Sequence, residues 1–134
     1  MTPESAKGAG AILVSKDQLF ERADILTIHL VLSSRTRGLV GATELKRLKP
    51  TAWLINASRG PIVEEQALIS VLKNKQIAGA AIDVFDVEPL PPSHPFRTLD
   101  NVLATPHIGY VSQGLYKTFY EDTVSNIRKW LDTD

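Results

Sequence analysis

The chain has 134 residues, of which 43% are hydrophobic, and this is enough for one domain with a buried core. Its 15 basic and 15 acidic residues cancel, so no net field favours nucleic acid or an anionic membrane surface as a partner. It contains no cysteine and only three histidines, which excludes disulfides and thiolate metal sites and leads us to expect no bound metal.

Short apolar runs alternate with amphipathic stretches along the chain. The apolar runs suit strands that are buried on both faces of a sheet. The predicted strands are 11–14, 25–32, 51–57, 79–85 and 101–105. The predicted helices are 16–23, 42–48, 64–75 and 112 to about 131. This alternation indicates one α/β domain with a parallel sheet and flanking helices.

The last predicted helix is amphipathic, with Ser112 as its N-cap. We expect its apolar face to pack on the sheet or on a missing neighbour. The apolar positions on that face are Leu115, Phe119, Val124, Ile127 and Leu131. Before this helix, the prolines of segment 89–95 predict an extended loop.

No segment has the pattern of a membrane span or an export signal. The longest apolar stretch, 25–32, falls far short of the roughly 20 residues that cross a bilayer. The first residues, MTPESAKG, lack the apolar centre of a signal peptide. Together with the absence of cysteine, these features predict a cytoplasmic protein.

Polar side chains follow the predicted strands, where ligands bind in an open parallel sheet. Arg59 follows the third strand, Asp83 and Glu88 lie at or after the end of the fourth, and His107 follows the fifth. An arginine can clamp a carboxylate through two parallel hydrogen bonds. A histidine oriented by a carboxylate can exchange a proton near neutral pH. The set therefore predicts acid–base chemistry on an anionic substrate, although each residue alone is more often an ordinary surface or loop residue.

Three segments carry a family resemblance: NASRGPIVEEQAL (56–68), GAAIDVFDVEPLP (79–91) and NVLATPHIGY (101–110). In order and with this spacing, they resemble the D-2-hydroxyacid dehydrogenase family. The resemblance implies a Rossmann-type domain that binds NAD, with NADP as the other option. It also implies hydride transfer between the nicotinamide and a small 2-hydroxy or 2-oxo carboxylic acid.

The same resemblance assigns roles to individual residues. It implies that Arg59 binds the substrate, that His107 exchanges the proton of the 2-oxo or 2-hydroxy group, and that Glu88 orients His107. It also implies that Asp83 contacts the nicotinamide carboxamide. The other implied cofactor positions are His29, Thr36, Ala57, Ser58 and Gly109. No catalytic role in the family corresponds to Asp86, while Glu64 and Glu65 are expected to favour the positive end of a helix dipole.

The chain departs from the family at its start. The phosphate-binding turn G-x-G-x-x-G and the acidic residue that follows the next strand are both missing. Gly8-Ala9-Gly10 is no substitute, because Leu13 stands where the third glycine belongs. Residues 1–134 therefore match the C-terminal part of the NAD-binding domain, without the first βαβ unit or the substrate domain. We expect an exposed apolar edge, covered in a homo-oligomer or by a partner that supplies the missing half.

Three interpretations remain open from the sequence. The complete set of Arg59, Glu88 and His107 favours an oxidoreductase. The missing glycine turn favours a non-catalytic nucleotide-sensing or interaction module. The third interpretation is an inactive remnant of an enzyme, so whether this chain turns over substrate alone is left open.

Overall fold

The computed structural model describes residues 2–133, so Met1 and Asp134 of the predicted span 1–134 lie outside the described residues. Four strands and five α-helices form within this part of the chain. The strands are β1 (Ile25–Ile28), β2 (Trp53–Asn56), β3 (Gly79–Ile82) and β4 (Val102–Ala104). The helices are α1 (Pro3–Gly8), α2 (Lys16–Arg22), α3 (Ala42–Leu45), α4 (Glu65–Lys73) and α5 (Gln113–Leu131). Two short 3-10 turns lie at Gly60–Ile62 and Pro95–Arg97.

The four strands form one parallel sheet in the order β1-β2-β3-β4. Leu26 pairs with Leu54, and Leu54 pairs with Ala80, so side chains of the same kind lie side by side on one face. The predicted α/β fold, a Rossmann-type parallel sheet with flanking helices, is confirmed. Because the strands run in parallel and in chain order, the segments that follow them emerge at one edge of the sheet.

The core lies between one face of the sheet and the helices α2, α3 and α4. Leu54 of β2, Leu45 of α3 and Leu72 of α4 are fully buried in it. Phe20 of α2 extends the same cluster towards β1. This packing explains why the amphipathic stretches before 75 form helices against the sheet.

The opposite face of the sheet is open to solvent among residues 2–133. Ile25 is 66% exposed, Trp53 42% and Leu103 63%. The expectation that the strands are buried on both faces is therefore wrong for this face, because none of the described helices covers it. The burial pattern of β1 alternates between exposed and buried, as expected of a half-covered strand.

The predicted strand at 11–14 is absent. The segment runs between α1 and α2 without pairing to a strand, and Ile12 and Leu13 are exposed. An isolated extended segment cannot satisfy its backbone groups in a ladder, so an apolar run alone does not make a strand. The following helix begins where expected, since the Ser15 hydroxyl accepts a hydrogen bond from Gln18 N–H at 3.2 Å.

Helix α5 begins after the predicted N-cap, where the Ser112 hydroxyl accepts a hydrogen bond from Leu115 N–H at 3.3 Å. None of its residues is buried in the described chain. The expectation that its apolar face packs on this sheet is therefore wrong, which leaves the alternative of a missing neighbour. No helix within residues 2–133 is long and apolar enough to cross a membrane.

Candidate active site

The loop that follows β2 presents Arg59 at the edge of the sheet. Buried Asn56 holds this loop in shape: its side-chain amide donates to Arg59 O at 3.1 Å, and its Oδ1 accepts from Ser58 N–H at 3.1 Å. The Ser58 hydroxyl donates to Ile28 O at 2.7 Å, which ties the loop to the end of β1. The exposed Arg59 guanidinium donates to Ser58 O at 2.6 Å and keeps further donors for a ligand.

Gly60 brings the Arg59 loop against the segment that follows β3. A Cβ atom on Gly60 would lie 2.1 Å from the carbonyl carbon of Phe85 and 2.7 Å from Asp86 N. Only glycine allows this approach of two backbones. The segments that carry Arg59 and Glu88 are therefore in direct contact.

Glu88 and His107 form a hydrogen-bonded pair. His107 Nδ1 lies 2.7 Å from Glu88 Oε2, and Phe85 N–H donates to Glu88 Oε1 at 2.9 Å. Partial burial raises the pKa of Glu88, but the hydrogen bonds from His107 and Phe85 and the charges of His107 and Arg59 outweigh it. The net pKa of Glu88 is lowered, so the group is a carboxylate near neutral pH.

The turn that carries His107 is anchored by Asp83. Oδ1 of Asp83 accepts from the Thr105 hydroxyl at 2.6 Å and from Ile108 N–H at 2.9 Å, and Oδ2 accepts from Gly109 N–H at 2.7 Å. Burial raises the pKa of Asp83, but these three hydrogen bonds and the charge of His107 outweigh it, and the net pKa is lowered. His107 itself has a positive φ of 56°, a conformation that the surrounding contacts must enforce.

The predicted cofactor positions fall into three places. His29, Ala57 and Ser58 line one open cleft of about 470 Å³, together with Arg59 and the segment 30–32. Asp83 and Gly109 meet below the His107 turn, where a Cβ on residue 109 would lie 2.9 Å from Asp83 Oδ2. Thr36 stands apart: its hydroxyl donates to Val31 O at 2.7 Å and accepts from Ser33 N–H at 2.8 Å, so it closes its own loop.

A nicotinamide group fits the residues that are present. A carboxylate offers about four acceptor positions, and Asp83 uses three, which leaves one for a carboxamide N–H. The cleft beside Ser58 opens on the same edge of the sheet. The phosphate-binding turn has no counterpart in this sequence, so the fit concerns the nicotinamide end only.

Sequence reasoning missed three residues that shape this site, namely Asn56, Gly60 and Thr105. Asn56 carried a usable signal, because an asparagine at the end of a strand commonly bonds the backbone of the next turn. Gly60 and Thr105 gave no comparable signal, since their roles depend on Phe85 and Asp83, which are more than 20 positions away along the chain.

Known proteins share this sequence and this fold. Residues 1–109 match the model of the D-isomer specific 2-hydroxyacid dehydrogenase NAD binding domain. A glyoxylate reductase of Thermofilum pendens is 50% identical over 92 residues, which cover 69% of this chain and 27% of that protein. A D-3-phosphoglycerate dehydrogenase of Synechocystis sp. is 40% identical over 128 residues, which cover 96% of this chain and 23% of that protein.

A solved structure agrees with these matches. The crystal structure of a putative D-3-phosphoglycerate dehydrogenase oxidoreductase from Ralstonia solanacearum superposes with a TM-score of 0.89 at 39% identity. The match covers 96% of this chain and 38% of that one. The chain thus spans less than half the length of each of these three proteins. On its sequence and on its fold, this chain belongs to the D-isomer specific 2-hydroxyacid dehydrogenase family, within the NAD-binding domain.

Proposed function

We propose that this chain carries the catalytic edge of an NAD(P)-dependent oxidoreductase that acts on a small 2-hydroxy or 2-oxo carboxylic acid. The observation that carries this proposal is the Glu88–His107 hydrogen bond of 2.7 Å beside the Arg59 loop. When bound, the nicotinamide supplies or accepts the hydride. The protein supplies orientation, charge complementarity and the proton.

Arg59 and His107 have complementary tasks in this reaction. The Arg59 guanidinium binds the substrate carboxylate through parallel N–H donors. His107, with Nδ1 bonded to Glu88, uses Nε2 to give a proton to the 2-oxo oxygen during reduction and to take it back during oxidation. The Glu88 carboxylate stabilises the protonated imidazole and fixes the ring.

A second group of residues would hold the cofactor. His29, Ala57 and Ser58 line the cleft that would take the dinucleotide, and Asp83 would accept a hydrogen bond from the carboxamide. Gly109 leaves room for Asp83, while Thr36 acts by shaping the 31–36 loop beside the cleft. The residues that distinguish NAD from NADP lie around the ribose of the cofactor, and this sequence does not contain that part of the family pattern.

The substrate class and the partners follow from the relatives. Two of them are named for glyoxylate and for 3-phosphoglycerate, both small acids oxygenated at carbon 2, and we extend that class to this chain. The open sheet face and the exposed helix α5 favour assembly, either as a homo-oligomer or with a partner that supplies the missing half. We also propose a cytoplasmic location.

The first experiment is a fluorescence titration of NADH into the purified chain, with size-exclusion chromatography on the same sample. We expect saturable binding, followed by oxidation of NADH when glyoxylate is added. His107→Ala should keep the binding but lower turnover about 100-fold or more, because the proton donor is lost. Turnover that survives in this variant would remove His107 from the mechanism.

A non-catalytic interaction module is the second candidate, favoured by the open apolar face of the sheet. A folded chain that binds no NADH at any assembly state would support this candidate and contradict the first. Binding without turnover on any small 2-oxo acid would indicate nucleotide sensing or an inactive remnant.

A further inference from the structure

A second histidine, His94, lies in the loop that connects Glu88 to β4. Its side chain is only 12% exposed, and its Nε2 lies 3.1 Å from Glu65 Oε1 in the first turn of α4. Its Nδ1 accepts a hydrogen bond from Phe96 N–H at 3.3 Å and caps the 3-10 turn Pro95–Arg97. Nothing in the proposed reaction uses this part-buried contact.

These contacts specify one tautomer of the neutral His94 ring. A backbone N–H can only donate, so Nδ1 must be unprotonated, and the ring proton of neutral imidazole then sits on Nε2. That proton is donated to Glu65 Oε1. A neutral imidazole therefore satisfies both ring nitrogens, and the loop is bonded to α4 through one specific tautomer.

The loop is also tied to Glu88. The ring of His94 packs on buried Phe96 with centroids 4.9 Å apart, and Phe96 packs on Phe85 at 6.3 Å. Phe85 is the residue whose N–H donates to Glu88 Oε1. A continuous chain of contacts thus runs from α4 to the carboxylate that holds His107.

Arg97 braces the near end of the same loop. Its guanidinium donates to Leu90 O at 2.7 Å and to Pro91 O at 2.9 Å, so the residues just after Glu88 are held as well. Asp86 is another charged group close to Glu65. Burial and the charge of Glu65 raise its pKa, while Arg37 opposes the rise.

From this arrangement we infer that His94 is a positioning residue: by bonding to Glu65 it holds the 89–97 loop on α4, and thereby keeps Glu88 in hydrogen-bonding position for His107. The catalytic meaning of this contact rests on the proposed function. The contact itself does not, because it acts within the free chain. If His94 holds Glu88 in place, the Nδ1 proton of His107 stays bonded to Glu88 and exchanges slowly with solvent.

Nuclear magnetic resonance of the free chain tests the inference through solvent exchange of that Nδ1 proton. With only three histidines, single substitutions assign every ring signal. His94→Asn keeps an acceptor that can cap Phe96 N–H but is too short to reach Glu65. Glu65→Ala removes the acceptor for Nε2–H, whereas Glu65→Gln keeps an oxygen there. We expect about fivefold faster exchange in H94N and E65A, from the loss of one net hydrogen bond, and near-parent exchange in E65Q.

A matched control is Asp100→Ala, which removes the ion pair with Lys75 beyond the other end of α4 and should leave the exchange unchanged. Unchanged exchange in both H94N and E65A would overturn the inference, as would ring nitrogen shifts that show the proton of His94 on Nδ1. An equal rise for the amides of β2 and β3 would reveal a merely structural role and overturn it too. If H94N fails to fold, the comparison of the exchange rates in E65A and E65Q tests the inference on its own. The experiment uses neither cofactor nor substrate, so its outcome does not depend on whether the chain is an active enzyme.

Discussion

Asp83 shows how much a single carboxylate contributes to this site. It is 8% exposed and accepts hydrogen bonds from three donors that all belong to the turn around His107. Because its pKa is lowered, it is ionised in the folded chain at neutral pH. The position of His107 therefore depends on a charged group that bonds the residues on either side of it.

Replacing Asp83 by Asn should destabilise the fold in a pH-dependent way. In Asn, the side-chain NH2 group would replace an acceptor oxygen and face a backbone N–H, so one hydrogen bond would be lost. We expect the free energy of unfolding to fall by about 2 kcal/mol at pH 7. A lowered folded-state pKa stabilises above the ordinary value of 3.8, and this stabilisation is lost as the pH falls through the folded pKa. The difference between D83N and the parent should thus shrink below about pH 4.

Urea unfolding at several pH values measures this difference. Asp24→Asn is the control, since Asp24 forms an exposed ion pair with Lys49 at 2.8 Å and should contribute less than about 1 kcal/mol. A D83N effect that is independent of pH would show that the charge of Asp83 does not matter.

The residue scale also shows what the sequence could predict about the site. Glu88 and His107 follow neighbouring parallel strands, which is why their proximity could be expected from the pattern. The bond between His94 and Glu65 joins residues 29 positions apart through a loop without regular structure, and no periodicity encodes it. Glu65 was expected only to favour the helix dipole, and its actual partner depends on how the loop folds back. The catalytic roles themselves stay predictions.

At the scale of elements, the alternation of apolar runs and amphipathic stretches predicted the fold correctly. It did not predict the lengths of the strands. The run at 25–32 was expected to be one strand, but β1 ends at Ile28, where the chain leaves the sheet to line the cleft. The run at 11–14 forms no strand, because pairing requires a neighbour that composition cannot supply. Burial and pairing are tertiary properties, and they decided both cases.

The contact between the Arg59 loop and the β3 loop depends on Gly60. Gly60→Ala should lower the free energy of unfolding by about 3 kcal/mol, because the new methyl group would overlap the Phe85 backbone and force the two loops apart. Thermal and urea unfolding measure the loss. Gly114→Ala is the matched control: no atom lies within 4 Å of its Cβ position in the first turn of α5, so the change should not destabilise the fold. Equal effects of the two substitutions would contradict the close approach at Gly60.

At the scale of the whole molecule, the uncovered sheet face is the largest departure from a self-contained domain. Ile25, Trp53 and Leu103 lie on one side of the sheet and are exposed, and α5 carries a second row of exposed apolar side chains. Exposed apolar area of this kind is a driving force for association. The chain should therefore assemble in a concentration-dependent way when it is purified alone.

Leu103→Lys tests whether the sheet face drives that assembly. Replacing this exposed leucine by a charged residue should raise the dissociation constant at least about tenfold, because assembly would no longer bury the leucine side chain. Light scattering after size-exclusion chromatography, over a wide range of concentration, measures the change. Thr118→Lys adds the same charge on exposed α5 without removing apolar area and should have little effect. A parent chain that stays monomeric at every concentration would show that the open face is tolerated, and equal weakening by both variants would point to charge instead of burial.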